Sequence, residues 1–142
     1  NGDERSLQLR LVNAGANTLI NMEASINMTW LEEVEGQRRR KFKRLELELE
    51  FIYLFPLNWT LIHVINDKSP FFYKSLEELR EQTAELLVMV RGYDDTYNQF
   101  IYKNHSYCID NVQENAIFLP MYESKEEKTL LFIEKLNDTR PV

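Results

Sequence analysis

With 142 residues, 44% of them hydrophobic and 12% aromatic, the chain can bury a sizeable core as one domain and is too apolar to be disordered. A formal charge of −6 excludes a general nucleic-acid binder, whose affinity rests on neutralised phosphates, and leaves cations open as partners. No apolar stretch reaches the ~20 residues that span a bilayer. Cys108 is the only cysteine, so an internal disulfide is impossible and a reducing compartment is expected.

The dominant period along the chain is two, the signature of strands. "LQLRLV" (Leu7 to Val12) is a short alternating strand, "NAGAN" a turn, and "TLINMEASINMTW" (Thr18 to Trp30) a longer strand. "RRRKFKRLELELEFIYLF" (Arg38 to Phe55) carries the clearest alternation. It places Leu45, Leu47, Leu49 and Phe51 on one face of a predicted strand and Glu46, Glu48 and Glu50 on the other. "WTLIHVI" (Trp59 to Ile65) follows Pro56 and reads as a buried strand.

Ser75 followed by Glu78 is a capping-box pattern, and Leu76 and Leu79 share a face, so one short helix is predicted at about Ser75 to Gln82. "TAELLVMV" is a strand expected to end at Val90, with Gly92 as the bend before "FIYKNHSYCI". "NAIFLP" and "TLLFIEKL" supply two late strands around the charged turn "ESKEEK". The pattern predicts an all-β, immunoglobulin-like β-sandwich with one short helix, a single domain over 1–142 without repeats or linkers. The opening "NGDE" reads as a cut end. The four N-x-[ST] sequons at Asn27, Asn58, Asn104 and Asn137 read as coincidence.

Nothing in the sequence builds a catalytic site. His63 and His105 are the only histidines and lack metal-ligand spacing with the cysteine, so neither a metal nor a cofactor is expected. His63 lies on an apolar strand and reads as a hydrogen-bonded core residue. Asp94 and Asp95 are adjacent, so on a strand they point to opposite faces and form no acid–base dyad. The block "RRRKFKR" places six cations (Arg38, Arg39, Arg40, Lys41, Lys43 and Arg44) in seven positions. They form either a solvated hairpin arm or a contact with anionic lipid head groups or an acidic partner. Each such cation near a charged membrane is worth about 1 kcal/mol. The acids of "LELELE" fit a solvated sheet face, or the wall of a passage that concentrates cations.

From Trp59 onward, "WTLIHVINDKSPFFYKSLEEL", "AELLVMVRGYDDTYNQ", "NHSY" and "LNDTRPV" resemble the cytoplasmic C-terminal domain of prokaryotic inward rectifier potassium channels. "LQLRLVNAGANTLINMEASI" resembles the family's L-x-x-R-x-x-N segment followed by E-A more loosely, and the order and spacing agree along essentially the whole chain. The resemblance implies an immunoglobulin-like domain that assembles as a homotetramer below the membrane pore. There it extends the path of potassium into the cytoplasm and couples intracellular ligands to gating. Its place would be the cytoplasmic face of the bacterial inner membrane, as part of an integral membrane protein. The alternative is a stand-alone intracellular β-sandwich that serves as an interaction module.

The resemblance also implies site roles. Arg91, Gly92, Tyr93, Asp94, Asp95, Thr96, Tyr97 and Asn98 would form the loop that narrows the cytoplasmic pore. In that loop Gly92 is the bend, the two aspartates supply negative charge, and Tyr93 or Tyr97 is the narrowing side chain. Arg91 stands where the family usually has a glutamate that helps hold magnesium and polyamines, and Asn21 where a second pore-lining glutamate is usual. The change to Arg91 reverses the local field, so strong voltage-dependent block by polyamines is not expected. Glu46, Glu48 or Glu50 would supply a further pore acid.

Overall fold

The computed structural model describes residues 5–13, 15–56, 58–111, 117–120 and 132–135, the last two stretches as backbone strands only. Two sheets face each other. The first is built on β1 (Arg5–Val12), with β5 (Asn58–Ile65) antiparallel on one side. On its other side lie β8 (Ile117–Pro120), parallel, and β9 (Phe132–Lys135), antiparallel. The second sheet runs β3 (Gln37–Leu45), β2 (Leu19–Val34), β6 (Glu85–Asp94), β7 (Gln99–Cys108), with β4 (Phe51–Leu54) also paired to β2. This is the all-β sandwich expected from the alternation. "ESKEEK" and "LNDTRPV" lie outside the described residues.

The alternating strands bury one face each. Leu7, Leu9, Leu11 and Leu61 of the first sheet, and Met22, Ala24, Ile26, Met28, Leu86, Val88 and Val90 of the second, are buried. Fully burying one such large apolar side chain contributes about 1.5–3 kcal/mol. β2 and β3 meet at the two-residue turn Glu35–Gly36, whose φ angles of 53° and 77° suit the tight turn that matches strand twist. Beyond Thr29, the last β2 residue paired to β6, β2 and β3 continue as a two-stranded arm, tied to the end of the helical segment where Leu31 N–H donates to the Gln82 carbonyl (2.8 Å).

The predicted helix is α2 (Leu76–Glu81), with Ser75 as its N-cap accepting from the Glu78 N–H at 3.1 Å. A second helix of one turn, α1 (Pro70–Tyr73), precedes it; Ser69 caps it and Pro70 starts it. A 3-10 turn at Ile109–Asn111 follows β7.

The strand predicted through Leu45, Leu47, Leu49 and Phe51 does not form: β3 stops at Leu45 and β4 starts at Phe51. Between them the chain leaves β2 to bond with the opposite sheet. Glu48 N–H donates to the Ile62 carbonyl (2.9 Å), and the chain rejoins β2 when Ala24 N–H donates to the Glu50 carbonyl (2.9 Å). Leu45 is buried, whereas Leu49 and Phe51 are exposed. The period-2 pattern spans a crossover between sheets, and there it no longer sorts residues into core and solvent.

His63 anchors that crossover. It is buried on β5, with Nδ1 2.8 Å from the Glu46 carbonyl and Nε2 2.7 Å from Ser69 Oγ. Nδ1 donates to the carbonyl. Nε2 accepts from the serine hydroxyl, whose oxygen accepts the Phe71 N–H of α1 (3.2 Å). Burial pushes the imidazole below its usual pKa, against the Glu46 carbonyl bond and the Glu46 carboxylate, which favour the cation. Lys43, Arg44 and Lys68 line the same small cavity.

A second tight fit joins the sheet's two central strands. Asn21 and Met22 of β2 stand opposite the single Gly92, a bulge with Asn21 at φ 51°. A Cβ on Gly92 would lie 2.2 Å from Met22 Sδ and 3.2 Å from the Ile20 carbonyl oxygen.

Two measurements check these packing arguments. Gly92→Ala is expected to cost about 1–3 kcal/mol in urea unfolding. Its combination with Met22→Ala should cost less than the sum of the two, because the smaller side chain vacates the space. For His63, the unfolded state takes up its proton first, so its contribution is complete above the unfolded pKa of about 6.5 and is lost as pH falls below it. Urea midpoints should therefore drop between about pH 7.5 and 5.5 more steeply in the wild type than in His63→Gln. Parallel slopes would show that His63 is not the group responsible.

Candidate functional site

The stretch Arg91 to Asn98 is not a loop entered at a glycine hinge. β6 runs on through Asp94, the turn is 95–98, and β7 begins at Gln99. Gly92 lies within the strand without a positive φ, so it supplies closeness to Met22 rather than a bend. Asn98, at φ 52°, ends the turn in the left-handed region that asparagine tolerates.

Asp94 does not project into solvent either. It is fully buried. Its Oδ1 accepts the backbone N–H groups of Thr96 (2.9 Å) and Tyr97 (3.2 Å), and its Oδ2 accepts from Asn17 Nδ2 (2.7 Å). An aspartate bonded to the N–H groups two and three residues on is a turn-former. The turn is also tied to the β1–β2 connection: Thr18 N–H donates to Thr96 Oγ1 and Asp95 N–H to the Thr18 carbonyl, both at 2.8 Å. Asp95, Tyr97 and Asn98 are exposed, and Tyr93 is half-buried with its hydroxyl 3.4 Å from Asn98 Oδ1.

Arg91 stands directly opposite Glu23 in the β2–β6 register, and its Nε donates to Glu23 Oε2 at 2.7 Å. Its guanidinium therefore arrives with a counter-charge, and the reversed field expected from the arginine alone is largely cancelled at distance. Glu23 was not singled out in the sequence. The E-A match contained it, but only the bulge puts it opposite Arg91. An exposed pair of this kind adds about 0–1 kcal/mol to stability, so its main effect is on the field.

Asn21 joins the same place. With Ile20, Glu23, Arg91, Tyr93, Phe100 and Tyr102 it lines an open groove of about 640 Å³ on the solvent face of the sheet. The three crossover acids do not line this groove. Glu46 lies at the His63 cavity, Glu48 is exposed, and Glu50 pairs with Arg44 at 3.3 Å. Arg44 in turn borders a 160 Å³ pocket shared with Glu23, Arg91 and Tyr102, so Glu50 is the acid nearest in network to the site.

The six cations lie on β3, an exposed edge strand, and alternate between its faces. Arg38, Arg40 and Arg44 share one face with Phe42; Arg39, Lys41 and Lys43 share the other. Arg38 stands opposite Glu33 and Arg39 opposite Glu32, and Arg40 donates to Thr29 Oγ1 (3.1 Å). Glu32 is held below the usual carboxylate pKa chiefly by its hydrogen bond from Lys74, at 3.0 Å. Cations on an edge strand also block unwanted strand pairing. Among the described residues no group of three or more potential metal ligands occurs, and no helix is long and apolar enough to cross a membrane.

Comparison with known proteins bears on this geometry. Residues 3–142 match the inward rectifier potassium channel C-terminal domain. The chain is also similar to the inward rectifier potassium channel Kirbac3.1 of Paramagnetospirillum magnetotacticum, with 27% identity over 118 residues. That alignment takes in 82% of this chain and 40% of the relative, so the chain spans less than half the relative's length. A match over nearly every residue, on a β-sandwich, leads to one conclusion: this chain belongs to the inward rectifier potassium channel C-terminal domain family, and it is a channel domain rather than an enzyme.

Proposed function

We propose that the chain is the cytoplasmic pore-extending and gating domain of an inward-rectifier-type potassium channel, working as a homotetramer at the inner face of a bacterial membrane. The observation that carries this reading is the family match over residues 3–142. In this reading the 91–98 hairpin faces the axis and passes potassium, and Tyr93 or Tyr97 narrows the path. The rigid tie between this hairpin and the β1–β2 connection supports a fixed constriction. The basic strand Arg38 to Arg44 is a surface for anionic lipid head groups.

The ion path at this level carries little net charge. Arg91 occupies Glu23, so the pair neither attracts nor repels a cation strongly at distance, and Asp95 is the remaining exposed acid of the hairpin. Blocking polycations, which need several carboxylates close together, find few here.

Currents from the reconstituted full-length channel, recorded with internal magnesium or spermine, test both levels. Potassium-selective current with weak block is expected for the wild type. Arg91→Glu should strengthen block about tenfold or more, since it places two carboxylates side by side. Absence of potassium current would reject the channel role. Wild-type block as strong as that of the variant would reject the role given to the ion pair.

A further inference from the structure

We propose that the small cavity where the crossover meets the β5–α1 turn binds one phosphate-class oxyanion between Lys43, Arg44 and Lys68. The site is separate from the hairpin end and stands without the channel reading; within that reading it names an intracellular ligand.

The three cations reach this cavity from two segments. Lys43 stands opposite Met28, which is buried, so its side chain leaves β3 on the face turned toward the first sheet. Arg44 follows it at the end of the strand. Lys68 comes from the turn after β5, which Asn66 shapes: its Oδ1 accepts the Lys68 N–H and its carbonyl accepts the Ser69 N–H, both at 2.9 Å. Together the cations line a cavity of about 60 Å³, with Glu46, His63 and Asn66 as its other polar walls. One water needs about 10–15 Å³ of such space, so the cavity takes about four oxygen-sized atoms, the number in a phosphate group.

Charge selects an anion. Among the described residues neither the Lys43 nor the Lys68 ammonium has an ion-pair partner. Arg44 gives one N–H to Glu50 at 3.3 Å and keeps other donors of its fork. Glu46 is the one carboxylate in the lining against these three cations. His63 adds no donor, because Nδ1 is spent on the Glu46 carbonyl and Nε2 accepts from Ser69 Oγ. Two ammonium groups and a guanidinium around one cavity repel one another. An oxyanion between them replaces that repulsion with charge-assisted hydrogen bonds, whereas a metal ion or polycation meets the wrong sign.

The bound anion would join β3 of one sheet to the turn after β5 of the other, over the crossover that passes between them. It would also compete with Glu50 for Arg44. Arg44 borders the pocket of Glu23 and Arg91 as well, which gives the ligand a direct route to that ion pair.

The test is thermal unfolding of the full-length protein in detergent, with inorganic phosphate titrated against chloride at constant ionic strength. Phosphate should raise the midpoint, because a ligand of the folded state stabilises it. Lys43→Gln combined with Lys68→Gln should weaken the apparent affinity about tenfold or more. Glu46→Gln and Glu50→Gln should each tighten it, the first by removing the opposing carboxylate and the second by freeing Arg44. Equal phosphate dependence in the wild type and the double variant overturns the site, since it would be a salt effect on the whole surface. Weaker binding in Glu46→Gln overturns the charge argument. A parallel series in phosphate-free nanodiscs, with and without phosphatidic acid, distinguishes the source. A shift from free phosphate assigns a soluble anion; a shift from phosphatidic acid alone, lost in the double variant, assigns a lipid head group. No shift from either overturns the proposal. Loss of potassium current bears on the channel reading only, because the midpoint is measured without it.

Discussion

One mismatch sets the hairpin end of the molecule: two residues of β2, Asn21 and Met22, stand opposite the single Gly92 of β6. On the hairpin side Ile20 faces Tyr93; if that register continued, Glu23 would fall opposite Val90, which is buried. The bulge moves Glu23 along by one, opposite Arg91 on the solvent face, where the two form their ion pair. Because side chains alternate with a period of two, a shift of one residue decides whether a carboxylate meets the core or a guanidinium. Asn21 makes the shift possible by adopting a left-handed backbone, and Gly92 makes it possible by leaving room for Met22.

Two buried polar groups then hold the outlying segments to this frame. Asp94 joins the β6–β7 turn to the β1–β2 connection through Asn17, and His63 joins the start of α1, through Ser69, to the crossover, through the Glu46 carbonyl. Both have polar partners on every side shown, as buried polar groups require. They differ in how far they reach. Asp94 spends one oxygen on its own turn and one on a residue 77 positions away, whereas both contacts of His63 bind separate segments. The β6–β7 hairpin is therefore fastened at its base rather than swinging on a glycine.

The legible features were those governed by local rules. Ser75 and Glu78 lie within one helical turn, so their capping pattern could be read directly, and the alternation in β2, β5 and β6 needed only neighbouring residues. Pro70 to Tyr73 is not legible in the sequence because a single turn has no periodicity to detect. The misreading of Leu45 to Phe51 has a different origin: a crossover keeps the strand composition while exchanging its hydrogen-bond partners, and composition does not record partners. Gly92 was read as a bend because glycine before polar residues commonly marks a turn. Its neighbour across the sheet, Met22, lies 70 positions earlier in the chain. The pairing of Glu23 is hidden for the same reason, since it depends on a register that only the folded sheet defines.

The pairing of Glu23 with Arg91 also decides what the proposed ring can tolerate at its axis. Two unit charges ~10 Å apart in water interact by about 0.4 kcal/mol, and by several times that where the effective dielectric is lower. Four unpaired guanidinium groups around one axis would oppose both closure of the ring and entry of potassium. With a carboxylate oxygen 2.7 Å from each Arg91 Nε, every copy presents a dipole instead of a charge, and a dipole's field fades faster with distance. Asp94 is withdrawn into its turn, so Asp95 is the exposed acid of the hairpin. The raw count of two aspartates against one arginine overstates what a cation on the proposed path would meet: one exposed carboxylate per copy of the hairpin, beside an ion pair that is already satisfied.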